Sequence, residues 1–236
     1  MKRLAPTLLF FLLGLTPPVF ADPPAPILHL GNDVEQTVTS WPVFVLIGGG
    51  LVALGTHEED AAVQHFFNRH DFLGSGNKIL DVAGQLYVLD SAALLTYAIG
   101  AWSGHNRIKT TGETLVEALI LTEATTGALK IAVDRTRPNG GSHSFPSGHT
   151  SRSFAIATVL QTLYDWPVGI PAYLVAGLIA TSRLENNAHY FSDVIFGAAL
   201  GSAIGWGTAR FHQTNSQWAI LPFTSSGIGC SVVRLF

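Results

Sequence analysis

Two histidines, His149 and His189, have neighbours that could turn an imidazole into a working group. His189 is followed four residues later by Asp193 and preceded by Ser182-Arg183. On a helix, positions i and i+4 share a face, so the Asp193 carboxylate could orient the His189 ring and fix its tautomer. An imidazole held in that way is a better nucleophile or base than a free one. His149 belongs to the run Ser144-Phe145-Pro146-Ser147-Gly148-His149-Thr150, which leads straight into an apolar helical stretch. Pro146 suits a first helical turn and Gly148 lets backbone approach a ligand, so the free N–H groups there make a seat for a phosphate. A further cluster is cationic: Lys130 precedes Arg137-Pro138 with six residues between. That spacing is about two helical turns, placing both cations on one face near a helix end that Pro138 helps to terminate. Each cluster alone has a plainer reading: a solvated basic helix end, an ordinary capped helix, a structural His–Asp pair. Together they supply three cations, an anion seat, a proton-carrying histidine and an aspartate-backed histidine. Phosphoryl transfer without a metal needs that set, since it requires positioning, charge neutralisation, a nucleophile and a proton for the leaving group.

The whole pattern reads Lys130-x6-Arg137-Pro138, then Pro146-Ser147-Gly148-His149, then Ser182-Arg183-x5-His189-x3-Asp193. It resembles the three-part signature of the type 2 phosphatidic acid phosphatase (PAP2) superfamily, which includes bacterial non-specific acid phosphatases, lipid phosphate phosphatases and vanadium haloperoxidases. Every signature residue is present in order, and the resemblance extends over residues 86–210. It implies a phosphohydrolase that uses neither metal nor cofactor, built as a helical bundle. By this resemblance Lys130, Arg137 and Arg183 bind the phosphate oxygens, with Ser147 and Gly148 adding hydrogen bonds. His189 attacks phosphorus to form a phosphohistidine, Asp193 supports it, and His149 protonates the leaving oxygen. One departure concerns the loop from Asn139 to Phe145, which is short where the soluble acid phosphatases carry an insertion, so the built-in lid is smaller. His143 in that loop reads as a solvated histidine, with a contribution to the site as the alternative. The nearest chemical alternative is a vanadate-dependent haloperoxidase, because trigonal-bipyramidal vanadate fits the same cradle. An alternative of another class is a non-catalytic binding protein that keeps the fold, against which stands the fact that no catalytic position is missing.

Six apolar stretches must position these residues, near 41–55, 79–101, 113–134, 151–165, 168–182 and 192–210. Each is long enough for a helix, and Gly, Pro, Asn and charged residues separate them. The expected fold is therefore all-α, a compact bundle of about six core helices over residues 41–212. An extended segment over 22–40 precedes it, and a tail over 213–236 follows. In the tail, Trp218 to Phe223 and Cys230 to Phe236 flank Thr-Ser-Ser-Gly-Ile-Gly and read as a β-hairpin packed on the bundle. Thr56-His57-Glu58-Glu59 fits a capping box that starts a helix through Phe66-Phe67. Gly48-Gly49-Gly50 lacks a phosphate-loop lysine and reads as close helix packing. His57, Asp60, His65 and His70 match no metal-ligand spacing.

Compartment and partners follow from the ends and the charge. Met1-Lys2-Arg3, the apolar run to Leu15 and Val19-Phe20-Ala21 have the layout of a secretory signal peptide over residues 1–21, which predicts export to the periplasm. Cys230 is the lone cysteine, so no internal disulfide forms. Without Lys2 and Arg3, the 13 basic residues become 11 against 16 acidic ones, a formal charge of −5. Scattered cations on a net-negative chain exclude a nucleic-acid partner and leave a phosphate-bearing small molecule or lipid. The uncharged cores at 41–55, 168–181 and 194–209 fall below the about 20 residues that a span needs. They predict a water-soluble bundle with some membrane contact. A mean hydropathy of +0.33 keeps the alternative, an integral membrane protein whose site faces the periplasm. Leaving group and oligomeric state stay open at this level.

Overall fold

The computed structural model describes residues 30–213, together with the backbone of 218–223 and 229–234. The leader expected over 1–21 lies outside the described residues. Among the described residues nine α-helices follow in order: α1 (Leu30–Thr39), α2 (Pro42–Thr56), α3 (Asp60–Arg69), α4 (Gly76–Ala83), α5 (Leu86–Ser103), α6 (Asn106–Val133), α7 (Gly148–Tyr164), α8 (Trp166–Glu185) and α9 (Phe191–Gln213). A 3-10 turn, His57–Glu59, joins α2 to α3. Strands β1 (Trp218–Phe223) and β2 (Gly229–Arg234) pair antiparallel, Trp218 opposite Arg234 and Phe223 opposite Gly229, as the tail pattern predicts.

Helix α9 is the element around which the others are arranged, packing on α7, α2, α1 and α6. Its Gly197, Gly201 and Gly205 recur every four residues and so share one face. A Cβ on these glycines would run into the backbone of Ser147, Ser151 and Ala155, so α7 lies against α9 at backbone distance. Gly49 of α2 abuts Ala199 in the same manner, the close packing expected of that glycine run. Ala93, Leu115, Ala118, Leu119, Val159 and Ala209 form the main buried cluster between α5, α6, α7 and α9.

Several expectations need correction. Residues 30–39 are helical rather than extended, because Asp33 and Thr37 lie one turn apart and bury the same face against α9, with Thr37 seated on Gly207. The stretch 79–101 is broken at Gly84, and α4 and α5 meet at a 59° bend. A Cβ at Gly84 would collide with His149 and Ile179, so the break brings the chain close to the site. Thr56 does not cap α3; its hydroxyl donates back to the Val52 carbonyl (2.9 Å) and ends α2. Helix α6 stops at Asp134 (φ 45°), so Arg137 sits in the 134–147 loop and not on a helical face shared with Lys130.

The length argument for a water-soluble bundle also fails. Helix α8 extends the uncharged core 168–181 by Trp166 and Pro167 at one end and Ser182 at the other without adding charge. It is long and apolar enough to cross a membrane. Two bent pairs, α1 with residues 42–69 and α4 with α5, also qualify if each is one span. Large apolar side chains stand exposed along α2, α5 and α8, among them Phe44 (71%), Leu54 (74%), Trp102 (94%) and Leu174 (64%). Monomeric proteins in water rarely leave so continuous an apolar surface uncovered.

Candidate active site

Four helix ends converge at one end of the bundle. The last turn of α6 carries Lys130, and the start of α7 carries Ser147, Gly148 and His149. The last turn of α8 carries Arg183, and the first turn of α9 carries Asp193. Loops add Arg137 and His189. The Ser147 N–H donates to the Asp193 carbonyl (3.1 Å), joining the starts of α7 and α9. His189 is not on a helix with Asp193; it precedes α9 in a short loop, where its N–H and that of Ala188 bond the Arg183 carbonyl (3.3 and 3.0 Å). The loop still brings the pair together. His189 Nδ1 lies 3.7 Å from Asp193 Oδ2, an ion-pair distance beyond hydrogen-bond reach. Asp193 is fully buried, and its Oδ2 accepts from the Ser144 hydroxyl and from the Tyr190 N–H (2.9 Å).

The cations are placed by backbone carbonyls and, for Arg183, by a carboxylate. Lys130 Nζ donates to the His143 carbonyl (2.7 Å), and Arg137 Nε to the Ser142 carbonyl (2.9 Å). Lys130 and Arg152 both flank Gly148, within 3.8 Å of where a Cβ would stand. Arg183 pairs with Asp81 of α4, whose same oxygen lies 3.4 Å from His149 Nε2. Burial pushes His189 down to about 4. The charges of Lys130 and Arg137 act in the same direction, and Asp193 opposes them. Burial likewise takes His149 down to about 3, with Arg183, Arg152 and His189 adding to it. Both rings are thus unprotonated in the empty site at neutral pH. An incoming phosphate dianion would partly neutralise the cations and favour a proton on His149.

The expected residues Lys130, Arg137, Ser147, Gly148, His149, Arg183, His189 and Asp193 therefore lie around one place. Four others join them that the spacing argument missed. Arg152 follows His149 by three residues, one turn on the same face, and that periodicity was a usable signal. Arg135, Asp60 and Asp81 gave no such signal, because their partners are remote in sequence. The His143 ring stands apart, near Asp134 Oδ1 (3.5 Å) and the Ser142 hydroxyl, while its carbonyl serves Lys130. Among the described residues no group of three or more His, Cys, Asp or Glu is arranged to hold a metal. Two cavities adjoin the site. A polar basin of about 830 Å³ is lined by Arg137, Arg183, Asp81, Asn77, Asn139 and Asn187 among others. A smaller apolar pocket of about 550 Å³ is lined by Ala53, Leu54, Val133, Arg135, Phe145 and Phe196 among others.

A helical bundle with a histidine pair and a ring of cations at one end defines a class, and comparison with known proteins agrees. Residues 113–217 match the sequence profile of the PAP2 superfamily. The chain is 37% identical over 107 residues to a lipid A 1-phosphatase of Porphyromonas gingivalis. That match covers 42% of this chain and 24% of the relative, so the chain spans about a quarter of that protein's length. Two crystal structures share the fold. One is Aquifex aeolicus LpxE (TM-score 0.56, 24% identity, 64% of this chain and 94% of that one). The other is a transmembrane PAP2-type phosphatidylglycerolphosphate phosphatase from Bacillus subtilis (TM-score 0.63, 22% identity, 73% and 96%).

Proposed function

We propose that this chain is a metal-independent phosphatase that removes a phosphate from a lipid-borne monoester or pyrophosphate at a membrane surface. The observation that carries the reading is a buried His189 paired with Asp193 and close to Lys130 and Arg137, with Arg183 beside His149 across the cradle. Phosphate oxygens bind to the three cations and to the N–H groups at the start of α7. The His189 lone pair attacks phosphorus as the bond to the leaving oxygen breaks, and His149 gives that oxygen its proton. The products are the free alcohol and a phosphohistidine. Water then attacks the phosphohistidine, His149 takes up the released proton, and the P–N bond breaks to free inorganic phosphate and His189. The positive charge that a metal would bring to such a transition state is supplied by the cations.

The membrane part of the proposal is supported by the length of α8 and by the apolar residues exposed on α2, α5 and α8. With the expected leader at residues 1–21, it places the helices in the bilayer and the site at its outer, periplasmic face. The leaving-group side opens on the amide-rich basin, which suits a large hydrophilic headgroup. Phosphatases for lipid A and for phosphatidylglycerol phosphate among the relatives point to substrates of that kind. The test uses full-length protein in detergent, assayed with EDTA on lipid A, phosphatidylglycerol phosphate and p-nitrophenyl phosphate. The expected outcome is phosphate release that EDTA leaves intact, fastest on a lipid. Activity lost in EDTA and restored by a divalent ion would reject the mechanism. A clear preference for the soluble ester would reject the lipid assignment.

A further inference from the structure

Arg135 stands two residues before Arg137, but its guanidinium turns inward to two buried carboxylates. Nη1 donates to Asp193 Oδ1 (2.7 Å) and to the Ser192 hydroxyl (2.8 Å), and Nη2 donates to Asp60 Oδ2 (2.7 Å). The guanidinium also lies over the Tyr190 ring, 4.0 Å from its centroid. Asp60, at the start of α3, accepts from the Ser192 N–H (2.8 Å) and hydroxyl (2.6 Å). Asp60 is 4% exposed and Asp193 0%. Charge-assisted bonds from a planar fork hold both orientation and position. With Oδ1 taken by Arg135, and Ser144 and the Tyr190 N–H fixed on Oδ2, the Asp193 carboxylate cannot turn. Its Oδ2 edge is the one presented to His189.

We propose that Arg135, held in turn by Asp60, is a positioning residue for His189, acting through the Asp193 carboxylate. The proposal rests on the reading of His189 as the nucleophile. It also extends the working site to Asp60, which lies outside the segment matched to the superfamily. The charges that face the His189–Asp193 pair are Lys130 from α6, Arg135 and Arg137 from the loop, and Asp60 from α3. His149 from α7 and Arg183 from α8 stand across the cradle with Asp81, and His57 shares the apolar pocket with Arg135. The signs are opposed within this set. Removing the Arg135 cation leaves Asp193 uncompensated, so the His189 ring holds its proton to higher pH. Removing the Asp60 charge leaves Arg135 more strongly felt, so the ring loses its proton at lower pH.

The experiment is an NMR titration of the full-length chain in detergent micelles with 15N-labelled imidazoles, the His189 signal identified by its loss in His189→Asn. Arg135→Met is expected to raise the ring's titration by roughly one pH unit. Asp60→Asn lowers it, the double variant Asp60→Asn/Arg135→Met falls between, and Arg135→Lys stays near wild type. In turnover, Arg135→Met lowers kcat roughly 10–100-fold, the range for residues that orient a working group. KM stays within about threefold, and Arg135→Lys recovers most of the loss. Arg135→Met leaves two buried carboxylates without their cation and is the variant most exposed to misfolding. The Asp60→Asn and double variants, with fewer uncompensated charges, then decide. A His189 titration unmoved in folded variants, or moved in one direction by both single substitutions, overturns the proposal. The NMR readout needs no turnover: a wild-type chain that releases no phosphate yet shows the opposed shifts would sink the phosphatase reading and leave the positioning intact.

Discussion

Arg135 and Arg137 leave one loop two residues apart and end in opposite surroundings. Arg137 lines the polar basin, its Nε steadied by the Ser142 carbonyl. Arg135 lines the apolar pocket, with each terminal nitrogen bonded to a buried carboxylate. In an extended chain, residues i and i+2 would face the same way. Here the Arg137 N–H bonds the Gly141 carbonyl (2.7 Å) and the Gly140 N–H bonds the Arg137 carbonyl (3.0 Å), so the chain curls at Arg137 and the two side chains part. The difference lies in the neighbours. A guanidinium already neutralised by two carboxylates orients other groups, whereas one facing an open basin can receive an anion.

The comparison breaks most completely if the nucleophile served by both arginines is wrongly assigned. His189→Ala should abolish turnover, by at least roughly 10³-fold, while acid quench of the wild type traps phosphate on His189. His149→Ala should spare most activity on p-nitrophenyl phosphate and little on alkyl phosphates, because a basic leaving oxygen needs the acid. Wild-type turnover in His189→Ala, or phosphate trapped on Ser or Asp, would remove His189 from its role.

A smaller effect sharpens the contrast between the arginines. Arg137→Ala should weaken phosphate and vanadate binding and lower kcat/KM roughly 10²-fold, typical of losing one donor to the transferred group. Arg135→Met should act mainly on kcat. Unchanged vanadate inhibition in Arg137→Ala would show that Arg137 does not reach the phosphate.

A further effect, felt at acid pH alone, is on stability. His189 and His149 sit below their ordinary value in the folded chain, so on acidification the unfolded chain takes up protons first. Stability should therefore be fully present above about pH 6.5 and fall towards pH 4, by roughly 1 kcal/mol per pH unit for each ring. Melting of ligand-free protein across this range checks it, and His189→Asn should reduce the slope. A flat melting temperature would mean that neither ring is held neutral by the fold.

What was legible in the sequence was whatever chemistry demands by residue type. The histidine pair, the aspartate and the cations of the three motifs could be read because their spacing within each motif is short, and the structure brings them together. The helical class and the tail hairpin were legible from apolar runs and turn residues. Asp60 was visible only as an unconvincing metal ligand, because its partners Arg135 and Ser192 lie 75 and 132 residues away. Helix α1 escaped because its polar Asp33 and Thr37 are buried, the reverse of the amphipathic rule. The span escaped because the charge-free core 168–181 leaves out Trp166, Pro167 and Ser182, which extend α8.

The glycine face of α9 has a consequence for how such a protein can diversify. With Gly197, Gly201 and Gly205 against the backbone of α7, the gap between the helix starts that bear His149 and Asp193 is a main-chain dimension. The polar basin shares Arg137, Arg183 and Asp81 with the site, while the rest of its wall comes from α3, α4, the end of α8 and the adjoining loops, outside that seam. On the proposed reading, the walls other than Arg137, Arg183 and Asp81 can be rebuilt for another headgroup without disturbing the spacing of the two helix starts.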